Sequence, residues 1–329
     1  MSTLKRIGGT IMLPLATFII MFIMCQAAGK TYFGTWQMWK TVLPSVALSM
    51  SCAFGIGLQF MAGRFDFSGG AIMLLSSIVA GNIAIRSGNN LVVMIIIMMI
   101  FSVGLSLLVG LFYVYARLPI IIATIGMALL YESITCLIFN GSGINLSANM
   151  SLNKMSFFPG ALIPGLIAMC VYLFYTYSAT TGRQTMLLAN NQQSAVNIGI
   201  NENKNVIISY VYSGIIFGLA SLIYAGNGIH NASYSSLSTA GELFSNILPV
   251  FIGLMLAGFC GSAIGIIMGS VTLCLLSYGL TAVFSNQMGS AITTIVTGIF
   301  ILVLNVLSAQ GPRIIAVFKR SLKPNQASA

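Results

Sequence analysis

Long apolar runs alternate with short polar connections along the chain, at about 11–28, 43–62, 69–86, 91–115, 119–138, 159–178, 206–225, 244–260, 262–283 and 291–309. Each is close to the roughly 17–25 residues a helix needs to cross the hydrocarbon core of a bilayer. The pattern predicts an all-α, polytopic membrane protein with about ten transmembrane helices, forming one membrane domain over residues 1–329. The first run follows Lys5 and Arg6 and is longer than the apolar part of a usual signal peptide. It is read as a retained span.

One connection stands apart. The stretch from Ala179 to Asn205 is polar, carries Arg183, Glu202 and Lys204, and has membrane-length runs on both sides. Between Gly182 and Gly199 it holds an amphipathic helical pattern, in which Ala195 and Gly199 are four apart and are expected to share one face of a short helix. Small side chains there leave room for another surface to come close, so the segment is read as the grip of a soluble partner. Two further connections, 139–157 and 226–243, are rich in Ser, Asn and Gly. They read either as solvated loops or as a docking surface on the other side of the membrane.

Composition agrees with the pattern. With 57% hydrophobic residues, 5% charged residues and a mean hydropathy of +0.98, no polar surface could cover a soluble chain of this length. The net charge of +10 does not point to nucleic acid, because the 14 basic residues form no face or arm. With the N-terminus inside, Lys5, Arg6, Arg64, Arg117, Arg183, Lys204, Arg313, Lys319, Arg320 and Lys323 fall on the cytoplasmic side, and Lys30, Lys40, Arg86 and Lys154 outside. This obeys the positive-inside rule and places both termini in the cytoplasm. Six cysteines without a CxxC pair read as free thiols, and with a single histidine, His230, no metal or other cofactor is expected.

Only four acidic residues are present, so each is informative: Asp66, Glu132, Glu202 and Glu242. Asp66 lies between two runs beside Ser68, which is expected to cap the following helix. Glu132 lies inside an apolar run, where an ionisable group is costly. It is either a hydrogen-bonded structural group or a contact for a solute. Glu242 follows Ala240-Gly241 and suits the positive end of a helix. Ser68-Gly69-Gly70-Ala71-Ile72-Met73 and Thr239-Ala240-Gly241-Glu242-Leu243-Phe244 echo one another, as if spans two to five and seven to ten were related halves of opposite orientation.

Gly63 to Gly70, Ala123 to Met127, Gly182-Arg183 with Asn191, Ala195, Gly199 and Ile200, and Ile252 to Gly265, taken in order, resemble the permease subunits of bacterial ABC importers of the ribose/sugar, branched-chain-type, binding-protein-dependent group. Gly63-Arg64-Phe65-Asp66-Phe67-Ser68-Gly69-Gly70 resembles the family's G-G-I-D-L-S-x-G signature, with Arg64 in place of a glycine. Ala123-Thr124-Ile125-Gly126-Met127 resembles its A-T-L-G-M element. Gly182-Arg183 followed by Asn191, Ala195, Gly199 and Ile200 resembles its cytoplasmic segment, although Gln193-Ser194-Ala195 replaces an acidic start. Ile252-Gly253 through Gly258, Gly261, Ser262 and Gly265 resembles a later small-residue turn.

The resemblance implies a permease in the bacterial cytoplasmic (inner) membrane that carries no enzymatic centre of its own. Its partners would be cytoplasmic ABC ATPase subunits, an extracellular or periplasmic substrate-binding protein, and a second permease copy or sister permease. It assigns Gly182, Arg183, Asn191, Gln193, Ser194, Ala195, Gly199 and Ile200 to ATPase coupling. Asp66, Ser68, Gly69, Thr124, Gly126, Glu132 and Glu242 fall to the translocation pathway or its motifs. The solute would be a sugar, with a nucleoside or autoinducer-type solute as the alternative. A secondary transporter or channel would be expected to carry more ionisable residues within its spans.

Overall fold

The computed structural model describes residues 3–284, apart from 148, 235 and 258, together with scattered positions between 292 and 303. Five helices come first: α1 Thr3–Ala27, α2 Trp36–Met61, α3 Gly69–Arg86, α4 Leu91–Ala116 and α5 Ile120–Leu137. Then follow α6 Leu162–Leu173, α7 Thr180–Asn190, α8 Gln192–Asn197, α9 Glu202–Tyr224, α10 Ala240–Leu256 and α11 Ser262–Val283. Seven of these helices are long and apolar enough to cross a membrane, and a bent pair makes an eighth if counted as one span. Helix α10 has 17 residues and falls short of that length. The tenth expected span, 291–309, lies mostly outside the described residues.

The sixth expected span, 159–178, ends at a sharp bend. Helix α6 runs on as a π turn, Phe174–Ser178, and meets α7 at 67°. Gly182 permits this bend, because a Cβ there would overlap the Tyr175 carbonyl oxygen.

Helix α9 is the hub. It packs on α2, α3, α4, α6 and α7, and its sequence supplies small residues where neighbouring backbones come close. Ser106 Oγ donates to the Tyr210 carbonyl at 2.7 Å, and Ser102 Oγ donates to that of Gly214 at 2.8 Å. From α9 back to α2, Ser213 Oγ donates to the Gly55 carbonyl at 2.9 Å. Lipid offers no hydrophobic force between helices, so close backbone approach and such bonds must supply the packing. The same logic joins α10 to α11. A Cβ on Gly265 would lie 2.6 Å from the Gly253 carbonyl oxygen, and one on Gly269 2.8 Å from that of Pro249.

At one end of the bundle the two long connections meet. Strands β1, Ile144–Asn145, and β2, Ile229–His230, form a two-residue antiparallel ladder. The His230 ring stacks on Tyr224 with centroids 3.8 Å apart, and Nε2 lies 2.7 Å from the Tyr224 carbonyl oxygen. Burial lowers the pKa of this imidazole from its ordinary value, so it is largely neutral at pH 7.

Candidate translocation core and partner-facing segment

Two helices begin side by side inside the bundle. Helix α3 starts at Gly69 and α10 at Ala240, and a Cβ on Gly70 would overlap the Thr239 carbonyl oxygen. A Cβ on Gly69 would lie 2.5 Å from the Phe217 ring of α9. The paired glycines are therefore a packing requirement, and the echo between the two motifs marks a real contact.

Each start is held by a buried carboxylate. Asp66 Oδ1 accepts from Ser68 N–H at 2.7 Å and from Ser68 Oγ at 2.6 Å. This corrects the expected role of Ser68: its hydroxyl makes no cap bond to α3 and instead donates back to Asp66. The aspartate closes the turn two residues ahead, a geometry that Asp favours because its short side chain reaches its own downstream backbone. Asp66 Oδ2 and the hydroxyl of Tyr210 are both buried and interact with each other.

Glu132 does the corresponding work for α10. Its Oε2 accepts from Leu237 N–H at 2.9 Å, and its Oε1 accepts from Thr239 N–H at 2.9 Å and Thr239 Oγ1 at 2.6 Å. Next to it on α5, Thr135 Oγ1 accepts from Ser233 N–H at 2.9 Å, and Cys136 Sγ donates to the Ser233 carbonyl at 2.9 Å. A carboxylate fully buried in a span is tolerated here because backbone donors at a helix start offset its desolvation.

The other expected pathway residues are more scattered. Thr124 is buried, and its Oγ1 donates to the Ile121 carbonyl at 3.3 Å. Gly126 is exposed and has open space around its Cα. Glu242 lies in the first turn of α10, as expected for an acid at a helix start, but is exposed.

The polar segment folds as a small helical hairpin. Gln192 Nε2 donates to both carboxylate oxygens of Glu202 at 2.8 Å, which ties α8 to the start of α9. Asn191 is the N-cap of α8, accepting from Ser194 N–H at 3.0 Å, and Asn201 caps α9 in the same way through Lys204 N–H. Beneath, Thr185 Oγ1 contacts Tyr175 Oη at 2.7 Å and donates to Asn205 Oδ1 at 3.0 Å. Arg183, Gln193 and Ser194 are exposed, and Ile200 is half-buried.

Ala195 and Gly199 do not share a helix face. Helix α8 ends at Asn197, Ala195 is 2% exposed, and Gly199 follows at φ +90° with open space around it. The four-residue spacing suggested one face, but the glycine ends the helix in a conformation other residues resist. Around α8 the apolar side chains that project are Val196 and Ile198, 45% and 71% exposed, beside the exposed Met186 and Leu187 of α7. Sequence reasoning missed Val196 and Ile198, and also missed the partners of Arg64: Gln59 at 3.0 Å and Ser209 at 2.8 Å. The signal for the former was their apolar character inside a polar segment.

Residues 38–305 match the family described as branched-chain amino acid transport system / permease component. The fructose import permease protein FruG of Bifidobacterium longum is 26% identical over 314 residues, covering 90% of each chain. The ribose import permease protein RbsC of Escherichia coli K12 is 26% identical, covering 73% of this chain and 76% of its own. The autoinducer 2 import system permease protein LsrC of Yersinia enterocolitica is 25% identical, covering 79% and 72%. No solved structure gives a significant match. With a multi-helix apolar bundle and a family match over most of its length, the chain belongs to the branched-chain amino acid transport system / permease component family and is a multi-pass permease of an ABC importer.

Proposed function

We propose that the permease admits a sugar delivered by a substrate-binding protein and is driven by ATPase subunits that seat on residues 182–203. The observation that carries the sugar reading is the similarity to a fructose import permease over 90% of both chains. An autoinducer-type solute is the second reading, favoured by the similarity to LsrC. Uptake of labelled fructose, ribose and autoinducer 2 by vesicles holding the permease, its ATPase and its binding protein separates them. Sugar uptake is expected, and autoinducer uptake alone would replace the first reading by the second. Ion-driven transport is disfavoured by Glu132, whose two oxygens are already engaged by three donors.

The ATPase-facing role of the polar segment is supported by its hydrogen-bonded mounting on α9 and by the exposure of Val196 and Ile198. Apolar anchors in the middle of a fitted contact typically carry roughly 2 kcal/mol or more each. Ile198→Glu is expected to lower co-purification of the ATPase at least about tenfold while the permease still inserts. Wild-type recovery of the ATPase would move the contact elsewhere.

We also retain the reading of ten spans with both termini and residues 182–203 in the cytoplasm, supported by the distribution of basic residues. On a cysteine-free background, a cysteine at position 154 should react with an impermeant reagent in intact cells and one at 204 should not. Labelling at 204 from outside would reject this topology. A second permease copy or sister permease would complete the translocation path.

A further inference from the structure

Among the described residues, Arg64 is the one basic side chain that is buried, at 7% exposed. Its Nε donates to Gln59 Oε1 of α2 at 3.0 Å, and its Nη2 donates to Ser209 Oγ of α9 at 2.8 Å. Gln59 Nε2 closes the triangle, donating to Ser209 Oγ at 3.5 Å. Both acceptors are neutral. Burying a guanidinium for neutral partners carries a desolvation cost that an uncharged residue would avoid. The nearest opposite charge, Asp66, lies within electrostatic range but makes no hydrogen bond to the guanidinium; it engages its own turn and the Tyr210 hydroxyl of α9 instead.

The position of Arg64 in the chain gives that cost a use. It sits in the seven-residue connection 62–68 between α2 and α3, just after the sharp turn at Gly63, φ +72°. Two residues later Asp66 sets the start of α3, and four residues after that Gly70 presses on the carbonyl of Thr239, a residue whose N–H and hydroxyl Glu132 holds from α5. In the other direction, Ser209 lies roughly 10 Å along α9 from Glu202, taking a helical rise of about 1.5 Å per residue. Glu202 is the residue that Gln192 of α8 grips. Helix α9 also meets the start of α3 directly, Phe217 against Gly69, and Arg64 adds a hydrogen-bonded link from α9 to the connection that leads into that start.

We propose that Arg64 is a positioning residue for transport, clamping the α2–α3 connection to Ser209 so that a displacement of α9 reaches the paired starts of α3 and α10. The inference rests on the reading of residues 182–203 as the ATPase-facing segment. Its distinctive prediction is a loss of coupling rather than of assembly. A guanidinium fork reaches two acceptors at once, which a lysine ammonium on a flexible stem does less well.

The test uses vesicles containing the complete transporter, with solute taken up per ATP hydrolysed as the readout. Arg64→Gln is expected to lower this ratio roughly tenfold, within the usual range of coupling free energies, with assembled complex close to wild-type amounts. Ser209→Ala, a milder change, lowers it in the same direction, and Arg64→Lys falls between Arg64→Gln and wild type. The double variant Arg64→Gln/Ser209→Ala loses no more than Arg64→Gln alone, because both changes cut one link. A wild-type ratio in Arg64→Gln overturns the proposal. So does a multiplicative loss in the double variant, or a fall in uptake matched by a fall in assembled complex at an unchanged ratio. Failure of the ATPase-facing reading is seen separately, as normal ATPase recovery with Ile198→Glu.

Discussion

Replacing Glu132 by alanine is expected to abolish uptake and to lower the thermal unfolding midpoint of the detergent-solubilised protein. The side chain is fully buried, and its removal leaves Leu237 N–H, Thr239 N–H and Thr239 Oγ1 without their acceptors. Each orphaned buried donor costs roughly 1–3 kcal/mol, and water cannot reach into a packed span as easily as into a surface pocket. Because these donors sit at the start of α10, the damage should spread to the connection before that helix. Glu132→Gln is the informative companion. Its amide keeps one acceptor for the Thr239 pair but turns an NH2 group toward Leu237 N–H, so a smaller loss is expected. In a positioning role, stability and uptake fall together, with alanine worse than glutamine. Loss of uptake at wild-type stability in both variants would instead make Glu132 a solute contact.

Gly70→Val should be nearly as damaging, for the opposite reason. Here the fault is added bulk, since even a Cβ would overlap the Thr239 carbonyl oxygen, and backbone cannot step aside as a side-chain tip can. Overpacking of this kind typically costs roughly 1–3 kcal/mol, and more where backbone must move. Uptake is expected to fall below about a tenth of wild type while the protein still reaches the membrane. Gly104→Ala in α4 is the control, because the added methyl group meets open space there and alanine favours a helix. Equal uptake by Gly70→Val and Gly104→Ala would mean that the two helix starts are not held in contact during transport.

Both experiments address a junction that was only half legible in the chain. The matching Ser68-Gly69-Gly70 and Thr239-Ala240-Gly241 stretches announced two similar helix starts, and Glu132 announced itself by its cost inside an apolar run. That the carboxylate answers donors 105 and 107 residues away could not be read, because hydrophobic periodicity does not say which span a buried face meets. The bend after Ser178 was hidden for a related reason. The change from apolar to polar residues at Ala179 marks the end of the span but not the 67° at which the next helix leaves it, and that angle rests on the contact of Gly182 with the Tyr175 carbonyl. In the polar hairpin of residues 182–203, spacing alone placed Ala195 and Gly199 together. The break of α8 before Gly199 separated them and left Val196 and Ile198 outward.

The sequence by itself determined the solvent and the class of protein. Runs of membrane length can satisfy their backbone in lipid only as helices, and so few charges leave no other surface to build. Its ordered motifs also pointed to the transporter family before any contact was known. The tertiary structure decided which buried polar groups find each other: Glu132 with Leu237 and Thr239, Asp66 with Ser68, and Arg64 with Gln59 and Ser209. In a chain whose apolar residues face lipid and core alike, hydrophobicity cannot choose among helix pairings, and the choice falls to close glycine contacts and to the need of every buried donor for an acceptor.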